Sequence, residues 1–199
     1  MAKGKNLREG QVYAVPLSNG TFTVTQLVNH HIVESSKHIS ENTFAFFNLV
    51  YQSIDEIEKE LDNVDLSTPV SILTANSSPR TYKWKLVGEK EITIRFDYNC
   101  QISSLGLFKN RSTDPALFLE PYFGLFPWDG YAEDDWIEQK YLLPKAEIRK
   151  DIKYLRDYSL EELTELMPEN SLKLKQRQTA EFTELRDTFF AREEGEGLL

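Results

Sequence analysis

The segment from Arg8 to Val33 reads REGQVYAVPLSNGTFTVTQLVNHHIV and has the clearest secondary-structure pattern near the start of the chain. Its two β-prone runs flank an Asn19-Gly20 corner, and such pairs favour tight turns because both residues tolerate a positive φ. The first run is apolar on both of its alternating faces, which predicts a strand covered on both sides. The second run alternates apolar residues with threonines, which is typical of a half-buried strand. We therefore expect an antiparallel hairpin.

Three segments further along the chain also have strand character. TPVSILTAN is short and apolar, while TYKWKLVG and KEITIRFDYN alternate apolar or aromatic residues with polar ones. Together with the hairpin, these segments predict strands near residues 12–17, 21–28, 70–74, 81–87 and 91–97.

Helices are indicated at two places. Ser53 and Glu56 stand at capping-box spacing ahead of an amphipathic run, which predicts a short helix over residues 53–62. Ser159 and Glu162 repeat that spacing at the start of a second helix, and a longer helix should follow Pro168. The apolar face of this longer helix is formed by Phe182, Leu185 and Phe189.

These elements predict an α+β fold in which a strongly curved, even barrel-like, antiparallel sheet is covered by a short helix and a C-terminal helical segment. We expect a β-rich domain over residues 1–145 and a helical extension over residues 146–199 that packs on it. The apolar stripe of the last helix is too short for a strong coiled coil, so we expect it to pack on this chain, and we expect a monomer rather than a homodimer.

Charge and composition narrow the class of protein. The formal net charge is −9 over 199 residues, and nucleic-acid binding normally needs clustered Lys and Arg, so no direct nucleic-acid role is expected. The most apolar window, FAFFNLVY, is far shorter than the ~20 residues that span a bilayer. The first residues carry positive charge without a following apolar region, and there is one cysteine. We expect a soluble cytoplasmic protein without membrane contact.

Motifs for catalysis or cofactor binding are missing from the sequence. There is no GxxxxGK[ST] phosphate loop, and His30, His31 and His38 are accompanied by no HExxH or Cys-x-x-Cys spacing. Cys100 lies among β-prone residues, where a cysteine is more often an inert small apolar residue than a nucleophile. We expect no enzyme activity, no catalytic residue, no metal site and no cofactor.

The block from residue 111 to residue 140 is strongly acidic, with seven acids and two bases, and aromatic residues are interleaved with the acids. Asp129, Glu133, Asp134 and Asp135 could form a general acid–base pair, hold a divalent cation or lie in a solvated loop. They could also form a patch that faces a protein partner, with the aromatic residues as anchors. The candidate partner-binding residues are Trp128, Asp129, Tyr131, Glu133, Asp134, Asp135, Trp136 and Glu138.

EGQVYAVPLSNGTFTVTQLV resembles the start of the immunity protein 26 family of bacterial polymorphic-toxin systems, which opens with a glycine, an A-[IV]-P-L strand, a turn and a second strand that enters with an aromatic residue. In YKWKLVGEKEI, Trp84, Val87 and Gly88 look like the family's Trp-x-x-[IV]-Gly step, and FPWDGY and QKYLLP agree more weakly. The resemblance covers roughly residues 8 to 145. The matching positions of the first block are Gly10, Val12, Tyr13, Ala14, Val15, Pro16, Leu17, Gly20, Phe22, Gln26 and Leu27.

The chain departs from the family at two points. Gln11 stands where the family commonly has an acidic residue, and the helical tail from about Glu147 extends past the shared region. The resemblance implies a cytoplasmic protein that binds a cognate toxin domain, such as a nuclease, and neutralises it without being an enzyme. The alternative from the residues alone is a small acidic cytoplasmic enzyme or ligand-binding domain that uses the carboxylates of residues 129–135.

Overall fold

A single antiparallel sheet organises the chain. The computed structural model describes residues 7–32, 40–94, 111–131 and 133–196. Neighbouring strands follow the order β4-β3-β2-β1-β5, and each neighbouring pair is antiparallel. The strands are β1 (Gln11–Pro16), β2 (Phe22–Ile32), β3 (Ser40–Phe46), β4 (Ser71–Ala75) and β5 (Lys85–Glu89). The prediction of an α+β fold with an antiparallel sheet is confirmed.

The sheet is open in the described part of the chain. β4 and β5 lie at its two ends and do not pair with each other. Closure into a barrel is therefore not confirmed.

The opening hairpin forms as predicted, but its turn works differently. Leu17 and Thr21 close a loop of three residues, with Leu17 N donating to Thr21 O at 2.9 Å and Gly20 N donating to Leu17 O at 3.0 Å. Only Gly20 of the Asn-Gly pair has a positive φ, at 85°. Asn19 contributes through its side chain instead, because its Oδ1 accepts hydrogen bonds from the amide and the hydroxyl of Thr21.

The strand predictions outside the hairpin need three corrections. β3 was not predicted, because its buried residues include Glu41, Asn42 and Thr43, which hide the apolar pattern. β5 begins at Lys85 instead of residue 81, since the chain curls before it and Lys83 adopts a φ of 59°. The predicted strand over 91–97 is not a strand at 91–94, and residues 95–97 lie outside the described chain. Just before and at its start, the carbonyl oxygens of residues 90 and 91 accept hydrogen bonds from the side-chain amide of Gln26.

The predicted helices are present. The described helices are α1 (Ile54–Glu60), α2 (Leu119–Tyr122), α3 (Trp136–Lys140), α4 (Leu160–Leu166) and α5 (Leu172–Glu196). Ser53 caps α1 through its Oγ, and Ser159 and Glu162 form the complete capping box ahead of α4. A 3-10 turn lies at Leu155–Asp157, and α5 is the long helix predicted after Pro168.

Both faces of the sheet are buried, as the sequence of β1 predicts. Tyr13 and Val15 point into one apolar cluster, which contains the aromatic residues between 118 and 141. Val12 and Ala14 point into a second cluster, which includes Ile57 of α1. The aromatic segment after residue 111 therefore forms one covering layer of the sheet, and α1 with its following loop forms the other.

The C-terminal part is tied to this layer by backbone and side-chain hydrogen bonds. Trp128 N donates to Lys153 O at 2.7 Å, and the Tyr158 hydroxyl donates to Gly124 O at 3.1 Å. A small cluster of Tyr158, Leu163, Met167 and Leu174 buries the start of α5 against α4.

The apolar face of α5 was expected to pack on this chain, and Phe182 is the residue of that face whose side chain is described. Phe182 is 69% exposed, so it does not pack on the sheet of this chain. The side chains of Leu185 and Phe189 lie outside the described part. The expected monomer and the expected domain boundary at residue 145 stay predictions.

Hydrogen bonds of the Lys90 side chain connect the end of β5 to the C-terminal end of α1. Its Nζ donates to the carbonyl oxygens of Leu61, Asp62 and Val64 at 2.9, 3.0 and 2.6 Å. These carbonyls follow the last turn of the helix, where intrahelical donors run out.

Replacing Lys90 with methionine keeps the apolar stem and removes all three hydrogen bonds. We expect the free energy of unfolding to fall by about 1.5–3 kcal/mol, the range for hydrogen bonds to a charged group. The control is Lys150→Met, because Lys150 is exposed and has no hydrogen bond or ion pair within the described residues. Equal denaturation midpoints for the two variants would show that Lys90 does not hold the helix.

Candidate partner-binding site

The aromatic residues of the predicted acidic segment are packed within this chain. Trp128 is 2% exposed, and its Nε1 donates to Glu138 Oε1 at 3.3 Å. The rings of Tyr131 and Trp136 lie 4.6 Å apart, and Trp136 packs edge-on against Tyr141. These rings are therefore part of the core layer and its margin instead of free anchors.

The carboxylates of this segment mostly serve the fold. Asp129 Oδ1 accepts a hydrogen bond from the backbone of Leu155 at 2.7 Å. Asp134 pairs with Lys173, and Asp135 accepts a hydrogen bond from Gln139. Binding of a partner at the segment stays a prediction, with Glu133, Asp134, Asp135 and Glu138 as its exposed carboxylates.

Of the three histidines and the cysteine, only His30 has its side chain within the described residues. His30 Nδ1 lies 2.8 Å from Asn42 Oδ1, and Asn42 Nδ2 donates to Ser77 O, which makes them a local polar network. His38, Cys100 and the side chain of His31 lie outside the described residues. Within the described ranges, no three His, Cys, Asp or Glu side chains are placed to hold a metal ion.

A groove of about 610 Å³ opens beside the turn that joins β1 to β2. We call it the acidic groove, because Asp114 and Glu120 line it and none of its described lining residues is a lysine or an arginine. Its remaining walls come from residues 15–17, 82, 84, 116, 117, 119, 126, 131, 166 and 168.

Aromatic rings form much of the wall of the acidic groove. Tyr82 stacks on Trp84 at 4.8 Å between ring centroids, and Phe126 lies 5.3 Å from Tyr131. Trp84 is in turn held from behind by Phe44 and Phe46, in edge-on contacts of 5.1 and 5.9 Å. The wall is consequently fixed in place by the core of the sheet.

The two carboxylates are also held in place. Glu120 accepts hydrogen bonds from the amide and the hydroxyl of Ser18, at 2.9 and 2.5 Å. Asp114 Oδ1 accepts a hydrogen bond from Ala116 N at 3.1 Å. These hydrogen bonds therefore hold both carboxylates in fixed positions.

The pKa values of two tyrosines in the acidic groove are raised mainly by burial, and nearby acids add to the rise. Burial raises the pKa of the Tyr131 hydroxyl, and the neighbouring Tyr141, Asp114 and Glu120 raise it further. Burial also raises the pKa of Tyr82, against a hydrogen bond with Ser77, and Asp114 adds to the rise. Negative charge on one side and aromatic faces on the other suit a cation with an apolar stem, as found in a lysine or arginine side chain.

Of the eight predicted site residues, only Tyr131 lines the acidic groove. Sequence reasoning assigned Tyr82 and Trp84 to a strand and did not separate Asp114 and Glu120 from the other acids. The available signal was the pair of blocks that carry the family resemblance, since Val15, Pro16 and Leu17 of the first and Trp84 of the second line the groove.

No protein-family model, no curated protein and no solved structure matches this chain. The resemblance to the immunity protein 26 family accordingly stays a prediction from the residues quoted above. Among the helices in the described ranges, none has the length and apolar character needed to cross a bilayer.

Proposed function

We propose that this chain is an immunity protein that binds a cognate toxin domain and neutralises it by stoichiometric inhibition, without catalysis. The observation that carries the proposal is the meeting of the two resemblance blocks at one surface. Residues 10–27 and 84–88 are far apart in sequence, yet β1 pairs with both β2 and β5. Both blocks line the acidic groove.

The acidic groove is the contact surface in this proposal. A toxin that acts on nucleic acid has a basic substrate path, and a net charge of −9 on the inhibitor speeds its encounter with such a surface. A lysine or arginine of the toxin enters between the aromatic wall and the two carboxylates. The inhibitor thereby covers the toxin's active site or its substrate path.

The alternative of a small acidic enzyme or ligand-binding domain using the 129–135 carboxylates has less support. Asp129 is engaged with the backbone of Leu155, and Asp134 with Lys173. A catalytic pair needs groups that are free to exchange protons with a bound substrate.

Co-expression with the product of the adjacent upstream gene tests the proposed function. We expect this chain to restore growth of cells that produce the toxin, and to elute with it as a complex of fixed stoichiometry. Failure to rescue growth and to form a complex, together with turnover of a small molecule by the purified chain, would favour the enzyme alternative.

A further inference from the structure

One segment of this acidic chain contains basic residues and no acidic ones. Between Asp65 and Glu89 there is no acidic residue, whereas Arg80, Lys83 and Lys85 all lie in this interval. The structure places these three bases on the lining of one cavity of about 510 Å³. We call it the basic cavity, and it shares Trp84 with the acidic groove.

The backbone before β5 brings Arg80 and Lys83 to the same cavity. Lys83 N donates to Arg80 O at 3.1 Å, and Trp84 N donates to Pro79 O at 3.0 Å, so the chain curls back on itself. Lys83 adopts a φ of 59°, a left-handed conformation that side-chain-bearing residues seldom occupy. The turn thereby places Arg80 and Lys83 on the lining of one cavity, whereas the side chain of Lys85 lies on the α1 side of the sheet, where it meets Glu58.

The charges of these bases are not neutralised within the described chain. Arg80 and Lys83 are exposed and form no ion pair there. Lys85 makes one long, exposed contact with Glu58, at 3.6 Å, and pairs of this kind contribute little. Glu89, whose charge together with burial raises the pKa of Tyr13 to about 12, is paired with Arg8 at 2.6 Å.

The interior of the basic cavity holds a buried donor. Gln11 is 3% exposed, and its Oε1 accepts hydrogen bonds from the Tyr13 hydroxyl at 2.7 Å and from Arg8 N at 3.0 Å. These bonds orient the amide, and its Nε2 has no acceptor among the described residues. An amide donor oriented in this way can donate a hydrogen bond to a ligand oxygen.

We infer that the basic cavity binds a small organic anion, with its carboxylate or phosphate at Arg80 and Lys83 and its apolar body against Leu7, Trp84 and Leu86. Cations and an amide donor recognise the charged oxygens, and the apolar lining recognises the body. The volume is in the range of sites for small ligands, roughly 300–1,000 Å³. This ligand site is separate from the proposed toxin contact and does not depend on it.

Titrations of the full chain with four probes test this inference. 3-Phenylpropionate and phenyl phosphate carry both features of the ligand, inorganic phosphate lacks the apolar body, and phenethylamine reverses the charge. In two-dimensional amide NMR spectra, we expect the two aromatic anions to cause saturable shifts at residues 11, 13 and 83–86. Whichever of them saturates at the lower concentration identifies the preferred anionic group. Phenethylamine should cause no shifts there, and inorganic phosphate should bind at least tenfold more weakly.

The matched variants are Arg80→Met with Lys83→Met, against Lys140→Met with Lys150→Met. Each pair removes two exposed positive charges, but only the first pair lines the basic cavity. We expect the first pair to weaken binding of the aromatic anions at least tenfold and the second to leave it within twofold. Absence of saturation, equal binding of phenethylamine, or equal weakening by both pairs would overturn the inference.

Discussion

Trp84→Ala should lower the free energy of unfolding by about 3–5 kcal/mol, the largest effect of any single substitution proposed here. Trp84 is 7% exposed and contacts Phe44, Phe46 and Tyr82 through three ring–ring interactions. Truncation to alanine removes these contacts and leaves a cavity beside the central strands. Urea unfolding followed by far-ultraviolet circular dichroism measures the loss.

Trp84→Phe is the matched control for this prediction. Phenylalanine keeps an aromatic ring at the site and leaves a smaller cavity, so it should cost clearly less than alanine. A loss below about 1 kcal/mol for Trp84→Ala would mean that the side chain does not hold the wall between the acidic groove and the basic cavity.

Gly10→Ala should cost about 2–4 kcal/mol, because strain and a backbone clash act together. Gly10 has a φ of 89°, and a Cβ there would lie 2.8 Å from the carbonyl oxygen of Lys90. The backbone cannot move away easily, since Gly10 N donates to Leu27 O and Gly10 O accepts from Lys90 N, at 2.8 and 2.9 Å.

Gly20→Ala separates the two causes. Gly20 has nearly the same φ, 85°, but nothing lies within 4 Å of a Cβ built on it. It should therefore lose only the conformational part, about 1–2 kcal/mol. If the two alanine variants unfold at the same denaturant concentration, the close approach of β1 and β5 at Gly10 is not important for stability.

The elements that the sequence predicts well are those specified by local chemistry. The β1–β2 hairpin, the cap at Ser53 and the capping box at Ser159 each depend on residues a few positions apart.

The elements that the sequence does not predict are those decided by tertiary contacts. β3 carries buried polar residues that are satisfied by neighbours distant in sequence, as when Arg111 pairs with Glu41 at 2.8 Å. Alternation placed Tyr82 and Trp84 on a strand, whereas the positive φ of Lys83 breaks that strand and lets the two rings stack. Local periodicity contains no information on either contact.

Tertiary contacts also decide which residues form the candidate site. The sequence places aromatic and acidic residues side by side between residues 128 and 138, but most of them turn inward or pair with the C-terminal segment. The acidic groove instead combines Asp114 and Glu120 with Tyr82 and Trp84, which come from a different part of the chain. Such a surface can be found only once the sheet has been assembled.

We propose that this chain neutralises a toxin through the acidic groove, and the dissociation constant of the toxin complex is the decisive measurement. The groove variant Asp114→Asn with Glu120→Gln is compared with Asp134→Asn with Asp135→Asn, which removes the same number of charges outside the groove. Long-range attraction changes alike in both, so a difference between them reports the contact itself. For the groove variant alone, we expect the binding free energy to weaken by about 2 kcal/mol, roughly 30-fold in affinity. Wild-type affinity in a folded groove variant, or a loss confined to the other variant, would contradict it.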